Sequence, residues 1–101
     1  MKTPHFLLSH PAQRDLETIF VESLHFIEVS MEQAIAYQEL LLDSMEWISL
    51  NQNAGQLIIP EKGIYKWSVG SHVLIYTQQK SHVCIERIVR QNSWFMQSLV
   101  S

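Results

Sequence analysis

Gly63-Ile64-Tyr65-Lys66-Trp67-Ser68-Val69-Gly70-Ser71-His72-Val73-Leu74-Ile75-Tyr76, followed closely by Val83-Cys84-Ile85-Glu86-Arg87-Ile88-Val89-Arg90-Gln91, is the stretch that decides the fold. β-Branched and aromatic residues fill both segments, and Gly70-Ser71 has the length and composition of a two-residue turn. Ile64 to Val69, His72 to Thr77 and His82 to Arg90 therefore read as consecutive strands. Leu57-Ile58-Ile59, closed off by Pro60 and Gly63, adds a short strand ahead of them. Most of the basic groups of the chain lie in this region.

Upstream the periodicity changes. His5-Phe6-Leu7-Leu8-Ser9 reads as a first strand, with Ser9 as an N-cap and Pro11 in the first helical turn, where its missing N–H costs nothing. Ala12, Leu16, Ile19, Phe20, Ser23, Phe26 and Ile27 recur at spacings of three and four, one stripe of an amphipathic helix. Ser30 and Gln33 have capping-box spacing and open a second helix. Its expected core face is Tyr37, Leu40, Leu41, Ser44, Trp47 and Ile48. Asn51-Gln52-Asn53-Ala54-Gly55 ends it with residues that accept left-handed conformations. A link of about three residues (Glu28 to Ser30) makes the helices an antiparallel hairpin. The expected fold is α+β: an N-terminal strand, a two-helix hairpin, then a mainly antiparallel sheet of three to four strands, in one domain over residues 1–101.

The chain has 101 residues, 47% of them hydrophobic, enough for one core and too apolar for a disordered chain. No apolar run approaches a membrane span, and the N-terminus has no charged segment leading into a long apolar one, so a cytoplasmic protein is expected. The single cysteine, Cys84, excludes an internal disulfide. The net charge of −3 hides an asymmetry, because residues 1–56 hold only Lys2 and Arg14 against eight acids. Such a balance argues against broad, phosphate-driven nucleic-acid binding.

Both helices carry more apolar residues than one buried face requires. Val21 and Leu24 fall off the stripe of the first helix, and Ile35 and Leu42 lie roughly opposite Tyr37 and Leu41 on the second. These residues are either singly exposed side chains or the contact surface for another chain.

Little in the residue spacings assembles chemistry. No two of His5, His10, His25, His72 and His82 have the i, i+4 spacing of zinc motifs, and no second cysteine accompanies Cys84, so no metal or cofactor is expected. No Gly-x-Ser-x-Gly and no phosphate-binding glycine loop is present. The basic and aromatic group Tyr65, Lys66, Trp67, His72, Tyr76, Arg87 and Arg90 is more suggestive. Strict strand alternation sets Lys66 opposite Tyr65 and Trp67. It also sets Arg87 with Val83, Ile85 and Val89, and Arg90 with Cys84, Glu86 and Ile88, so the bases do not converge on one face. Three roles stay open for this group: a structural one, with Arg87 pairing Glu86 or a helix acid; a protein-binding surface; and metal-free RNA cleavage by Tyr65 or Tyr76, Lys66 and Arg87.

His10-Pro11-Ala12-Gln13-Arg14-Asp15-Leu16-Glu17-Thr18-Ile19 resembles the strand-to-helix opening of the ParE/RelE toxin superfamily. Asn53-Ala54-Gly55, Gly63-Ile64-Tyr65-Lys66, the segment Val69 to Tyr76, and Arg87-Ile88-Val89 resemble its later blocks in order. The resemblance is closer to ParE than to RelE. It implies a bacterial toxin of a type II toxin–antitoxin system, involved in plasmid or genome maintenance or stress response. Such a toxin inhibits DNA gyrase by protein binding, without catalytic residues. The alternatives are a RelE-like ribosome-dependent mRNA endoribonuclease and a diverged, non-toxic member. The implied partner is a ParD-like antitoxin, with DNA reached only through it, and a homo-oligomer or toxin–antitoxin hetero-oligomer. On this reading Lys66, Trp67, Arg87, Arg90 and Trp94 are the target-binding candidates; Val21, Leu24, Ile35 and Leu42 are the antitoxin-binding ones. The chain departs from the family pattern at Tyr65, where an arginine is usual, at Arg90, where a histidine is common, and in the tail Asn92-Ser93-Trp94-Phe95.

Overall fold

The computed structural model describes residues 6–25 and 29–93. Strand β1 (Phe6–Leu8) leads into helix α1 (His10–His25) and helix α2 (Met31–Leu50). After them come β2 (Gln56–Ile59), β3 (Ile64–Val69), β4 (His72–Gln78) and β5 (Val83–Arg90), with short 3-10 turns at Gln52–Ala54 and Pro60–Lys62. The sheet order is β1-β5-β4-β3-β2. β1 pairs parallel with β5, and every other pairing is antiparallel. The α+β expectation therefore holds, with four strands after the helices and the N-terminal strand completing a five-stranded sheet.

Local chemistry explains the element boundaries. Ser9 does not extend β1; its Oγ accepts from the Ala12 N–H at 3.1 Å and caps α1. The Ser30 capping box is present in both directions, with Gln33 N–H on Ser30 Oγ and Ser30 N–H on Gln33 Oε1, each at 3.1 Å. The end of α2 differs from expectation. Asn51 has φ −136° and Gly55 φ −73°, so neither is left-handed. Instead the Asn51 amide side chain donates to the Trp47 carbonyl at 2.9 Å, and the chain leaves through the 3-10 turn. Between β3 and β4, Gly70 does take the left-handed conformation, with φ 57°, and a Cβ there would also press on the Tyr37 ring at 2.8 Å.

The helices cover one face of the sheet. Ala12, Leu16 and Ile19 of α1 and Leu41, Met45 and Ile48 of α2 pack on Val69, Leu74, Tyr76, Val83, Ile85 and Ile88. Phe26 and Ile27 of the expected α1 stripe lie outside the described residues. On α2 the core face is rotated from the expected one: Ala34 and Met45 are buried, whereas Leu40 and Trp47 are each 46% exposed. The sequence of α2 is apolar around most of its circumference, so periodicity alone does not set its phase. A second cluster, Val73, Ile75 and Val89 with Ile58 and Ile64, lies on the opposite face.

A bulge in β5 changes the side-chain alternation. Tyr76 pairs with Ile85, but Ile75 pairs with Arg87, so Glu86 is an extra residue. Beyond it the parity inverts. Ile88 joins Val83 and Ile85 against the helices, and Val89 joins Ile75 on the far face. Strict alternation had placed Ile88 and Val89 the other way round.

Candidate functional site

The bulge is held by α1. The carbonyl of the extra residue, Glu86, accepts from Ser9 Oγ at 2.7 Å, so one hydroxyl serves both the bulge and the helix start. One turn further along, Asp15 Oδ2 accepts from the Ile88 N–H at 2.9 Å and from Arg87 Nε at 2.7 Å, while Oδ1 accepts from Arg87 Nη2 at 3.1 Å. This two-pronged pairing matches the planar fork of arginine to a carboxylate. It raises the Arg87 pKa, chiefly through the Asp15 hydrogen bonds and against some desolvation. The helix acid is therefore Asp15 rather than Glu86.

Two turns along the same flank of α1, Glu22 Oε2 lies 3.3 Å from Arg90 Nη2. Both arginines of β5 thus meet α1, contrary to the divergence expected from strict alternation. They are unequal. The Arg90 side chain is 64% exposed, while Arg87 is bonded to an Asp15 carboxylate that is only 17% exposed. Asp15 and Glu22, seven residues apart, were the missed partners. Their common flank on α1 was the available signal.

A third group closes this end of the sheet. Tyr37 of α2 places its Oη 2.6 Å from His72 Nδ1 and accepts from the Ser71 N–H at 3.2 Å. The same hydroxyl lies 3.4 Å from the Val69 carbonyl, so Tyr37 ties the end of β3 and the start of β4 to α2. His72 is buried and borders a cavity of about 140 Å³ with Asp15, Thr18, Ile19, Glu22, Ile88 and Arg90. Its pKa is lowered by burial and by the positive charge of Arg90, with Glu22 opposing. The sign follows. An unfolded His72 titrates near its ordinary value of about 6.5 and takes up a proton that the folded form resists. Stability is complete above that pH and falls as the pH drops toward the depressed folded value. Thermal melts of the wild type and His72→Gln should diverge between pH 7.5 and 5.5, with the wild type losing more. Parallel curves would remove His72 as the source.

The other expected site residues do not join this cluster. Lys66, opposite Ile75, lies on the face away from the helices, beside a hollow of about 290 Å³ lined also by Ala54, Gln56, Trp67 and Ser68. Trp67 lies on the helix face and packs against Trp47 in a tilted arrangement, ring centroids 5.1 Å apart at 31°. Trp94 lies outside the described residues. Tyr65 and Tyr76 stack at 5.3 Å, and the Tyr76 hydroxyl donates to the Gln52 carbonyl at 2.9 Å and accepts from the Gly55 N–H at 3.1 Å. Burial raises the Tyr76 pKa, which suits a structural hydroxyl rather than a general base. The Cys84 thiol is pushed up by burial and by Glu86 and stays protonated. Among the described residues no group of three His, Cys, Asp or Glu is placed to hold a metal ion. None of their helices is long and apolar enough to cross a membrane.

Of the four antitoxin-binding candidates, Val21 and Ile35 are exposed at 48% and 42%. Leu24 is half-buried, and Leu42 is half-buried against the core. The largest exposed apolar residues on α2 are others: Met31, Leu40, Trp47 and Leu50.

The family model for the ParE toxin of the type II toxin–antitoxin system parDE matches residues 6–93. The chain also resembles a solved structure of the chromosomal ParDE system from P. aeruginosa, with a TM-score of 0.72 and 17% identity. That match covers 86% of this chain and 95% of the other. Among curated proteins, none matches the sequence.

Proposed function

Because the chain belongs to the ParE toxin family of type II toxin–antitoxin systems, we propose that it acts by protein binding, with DNA gyrase as its target and a ParD-like antitoxin as its neutralising partner. The observation that carries the protein-binding reading is the apolar surface of the hairpin. Val21, Met31, Ile35, Leu40, Trp47 and Leu50 are each between 42% and 63% exposed on a chain of 11.8 kDa. Five of these six side chains lie on α2, and apolar groups exposed in this number on one helix suit a surface that another chain covers. The antitoxin is that chain, and Val21 and Ile35 belong to its footprint. The cell interior, where gyrase resides, is the compartment this reading requires.

The ribonuclease alternative finds less support. Lys66 and the Tyr65 ring project from opposite faces of β3, Arg87 is committed to Asp15, and the Tyr76 hydroxyl is occupied. The gyrase contact is assigned to the exposed end of β5, with Arg90 as its charged group.

Induced expression without antitoxin, followed by separate assays of supercoiling and of mRNA integrity, tests this. Loss of supercoiling with intact mRNA is expected; mRNA cleavage overturns the gyrase assignment, and normal growth overturns toxicity. Arg90→Ala should weaken growth arrest at least tenfold in inducer dose. Its surface pair with Glu22 contributes about 0–1 kcal/mol, so stability should hardly change. Unaltered toxicity in Arg90→Ala removes that residue from the target contact.

A further inference from the structure

We propose that the outer face of the C-terminal half of α2 docks a basic amphipathic segment of the antitoxin, a reading that rests on the toxin–antitoxin assignment above. At 3.6 residues per turn, Glu39, Asp43 and Glu46 fall in a sector about 60° wide, turned away from Leu41 and Ile48. Leu50 lies in the same sector, and Leu40 and Trp47 border it on the side of β3. All six are exposed. Trp67 of β3 continues the apolar surface through its tilted contact with Trp47. From residue 39 to residue 50 the face runs about 17 Å, three turns of a partner helix.

The charges specify the occupant. Helix α2 contains Glu32, Glu39, Asp43 and Glu46 and neither Lys nor Arg. Among the described residues none of these acids has an ion-pair partner. Glu39 and Asp43 are like charges at i, i+4, and Glu46 lies toward the C-terminal end, where the helix dipole favours cations. The free protein therefore holds a negative stripe that no ion pair among the described residues compensates, set against an apolar one. A segment with Leu-like residues on one side and Lys or Arg on the other satisfies both. A second copy of this chain placed on the same face would set the acids against one another, and so would an acidic tail.

The test uses the purified full chain and two synthetic 18-residue amphipathic peptides, one of Leu and Lys, the other with Glu replacing each Lys. The Lys peptide should bind at least tenfold more tightly, and its affinity should fall as salt rises. Glu39→Lys with Asp43→Lys and Glu46→Lys should invert that preference, while Leu40→Ala with Trp47→Ala should weaken both peptides. The charge substitutions are at exposed side chains and should leave the melting curve unchanged, whereas Leu40→Ala with Trp47→Ala removes the Trp47–Trp67 contact and should lower Tm modestly while the protein stays folded. Equal binding of the two peptides, or an unaltered preference in the triple variant, overturns the docking surface. The antitoxin should bind the triple variant at least tenfold more weakly. Undiminished binding overturns the antitoxin as the source of the segment, even where the peptides discriminate. Neither peptide measurement depends on toxicity, so failure of the gyrase assignment would be read separately, from supercoiling.

Discussion

Gly55→Ala is expected to lower the unfolding free energy by about 3–5 kcal/mol, combining an overpacking cost with the loss of buried hydrogen bonds. The glycine is required by proximity. A Cβ at this position would lie 2.2 Å from Tyr76 Oη and 2.8 Å from both the Tyr76 ring and the Lys66 carbonyl oxygen. The phenol cannot yield, because the Tyr76 side chain is fully buried, stacked on Tyr65 and hydrogen-bonded to Gln52 and to Gly55 itself. For a domain of this size such a loss lowers Tm by very roughly 15–25 °C. Tyr76→Phe removes the hydroxyl without adding bulk and should cost about 1–3 kcal/mol, leaving the Gly55 N–H and Gln52 carbonyl without it. Because the two sites share one contact, the double variant should lose less than the sum of the singles. Gly63→Ala is the control. No atom lies within 4 Å of its Cβ, so only the left-handed backbone, at about 1–2 kcal/mol, resists it. Equal losses at Gly55 and Gly63 in urea unfolding would refute the steric account.

Asp15→Ala should cost about 3 kcal/mol, the magnitude for removing one partner of a mostly buried, multiply bonded ion pair. The carboxylate accepts two bonds from Arg87 and one from the Ile88 N–H beyond the bulge, and its loss frees all three donors. Asp15→Asn keeps an acceptor without the charge and should retain about half of this. The consequence for function is practical. An Arg87→Ala toxin loses activity through instability as well as through any target contact, whereas the exposed Arg90 reports on the target alone. A loss below about 1 kcal/mol for Asp15→Ala in urea titration would show that Ser9 and the sheet hold the bulge without it.

Much of the fold was legible because its signals are local. The Ser9 and Ser30 caps, the Gly70-Ser71 turn and the Ala12–Leu16–Ile19–Ser23 stripe each depend on residues within a turn or two of one another. The phase of α2 was not legible. Leu40, Leu41 and Leu42 are consecutive and chemically equal, and only docking of the helix onto the sheet selects Leu41 for the core. The site suffered from a different effect. One extra residue at Glu86 inverts the alternation, and neither composition nor β-propensity marks where a ladder slips. The pairings Asp15–Arg87, Glu22–Arg90 and Tyr37–His72 join residues 72, 68 and 35 positions apart, beyond any periodic pattern.

The strand block from Gly63 to Gln91 by itself determined the three central strands and their hairpin and, with the segments before it, the toxin family. Those rest on side-chain shape and short-range backbone chemistry, which the residues carry with them. The tertiary structure alone decided which charges are free. It ties Arg87 to a largely buried Asp15, leaves Arg90 in an exposed pair with Glu22, and turns Trp47 and the acids of α2 outward. Whether a charged or apolar group is spent inside the fold or offered to a partner depends on what packs against it, and that is set only when the helices settle on the sheet.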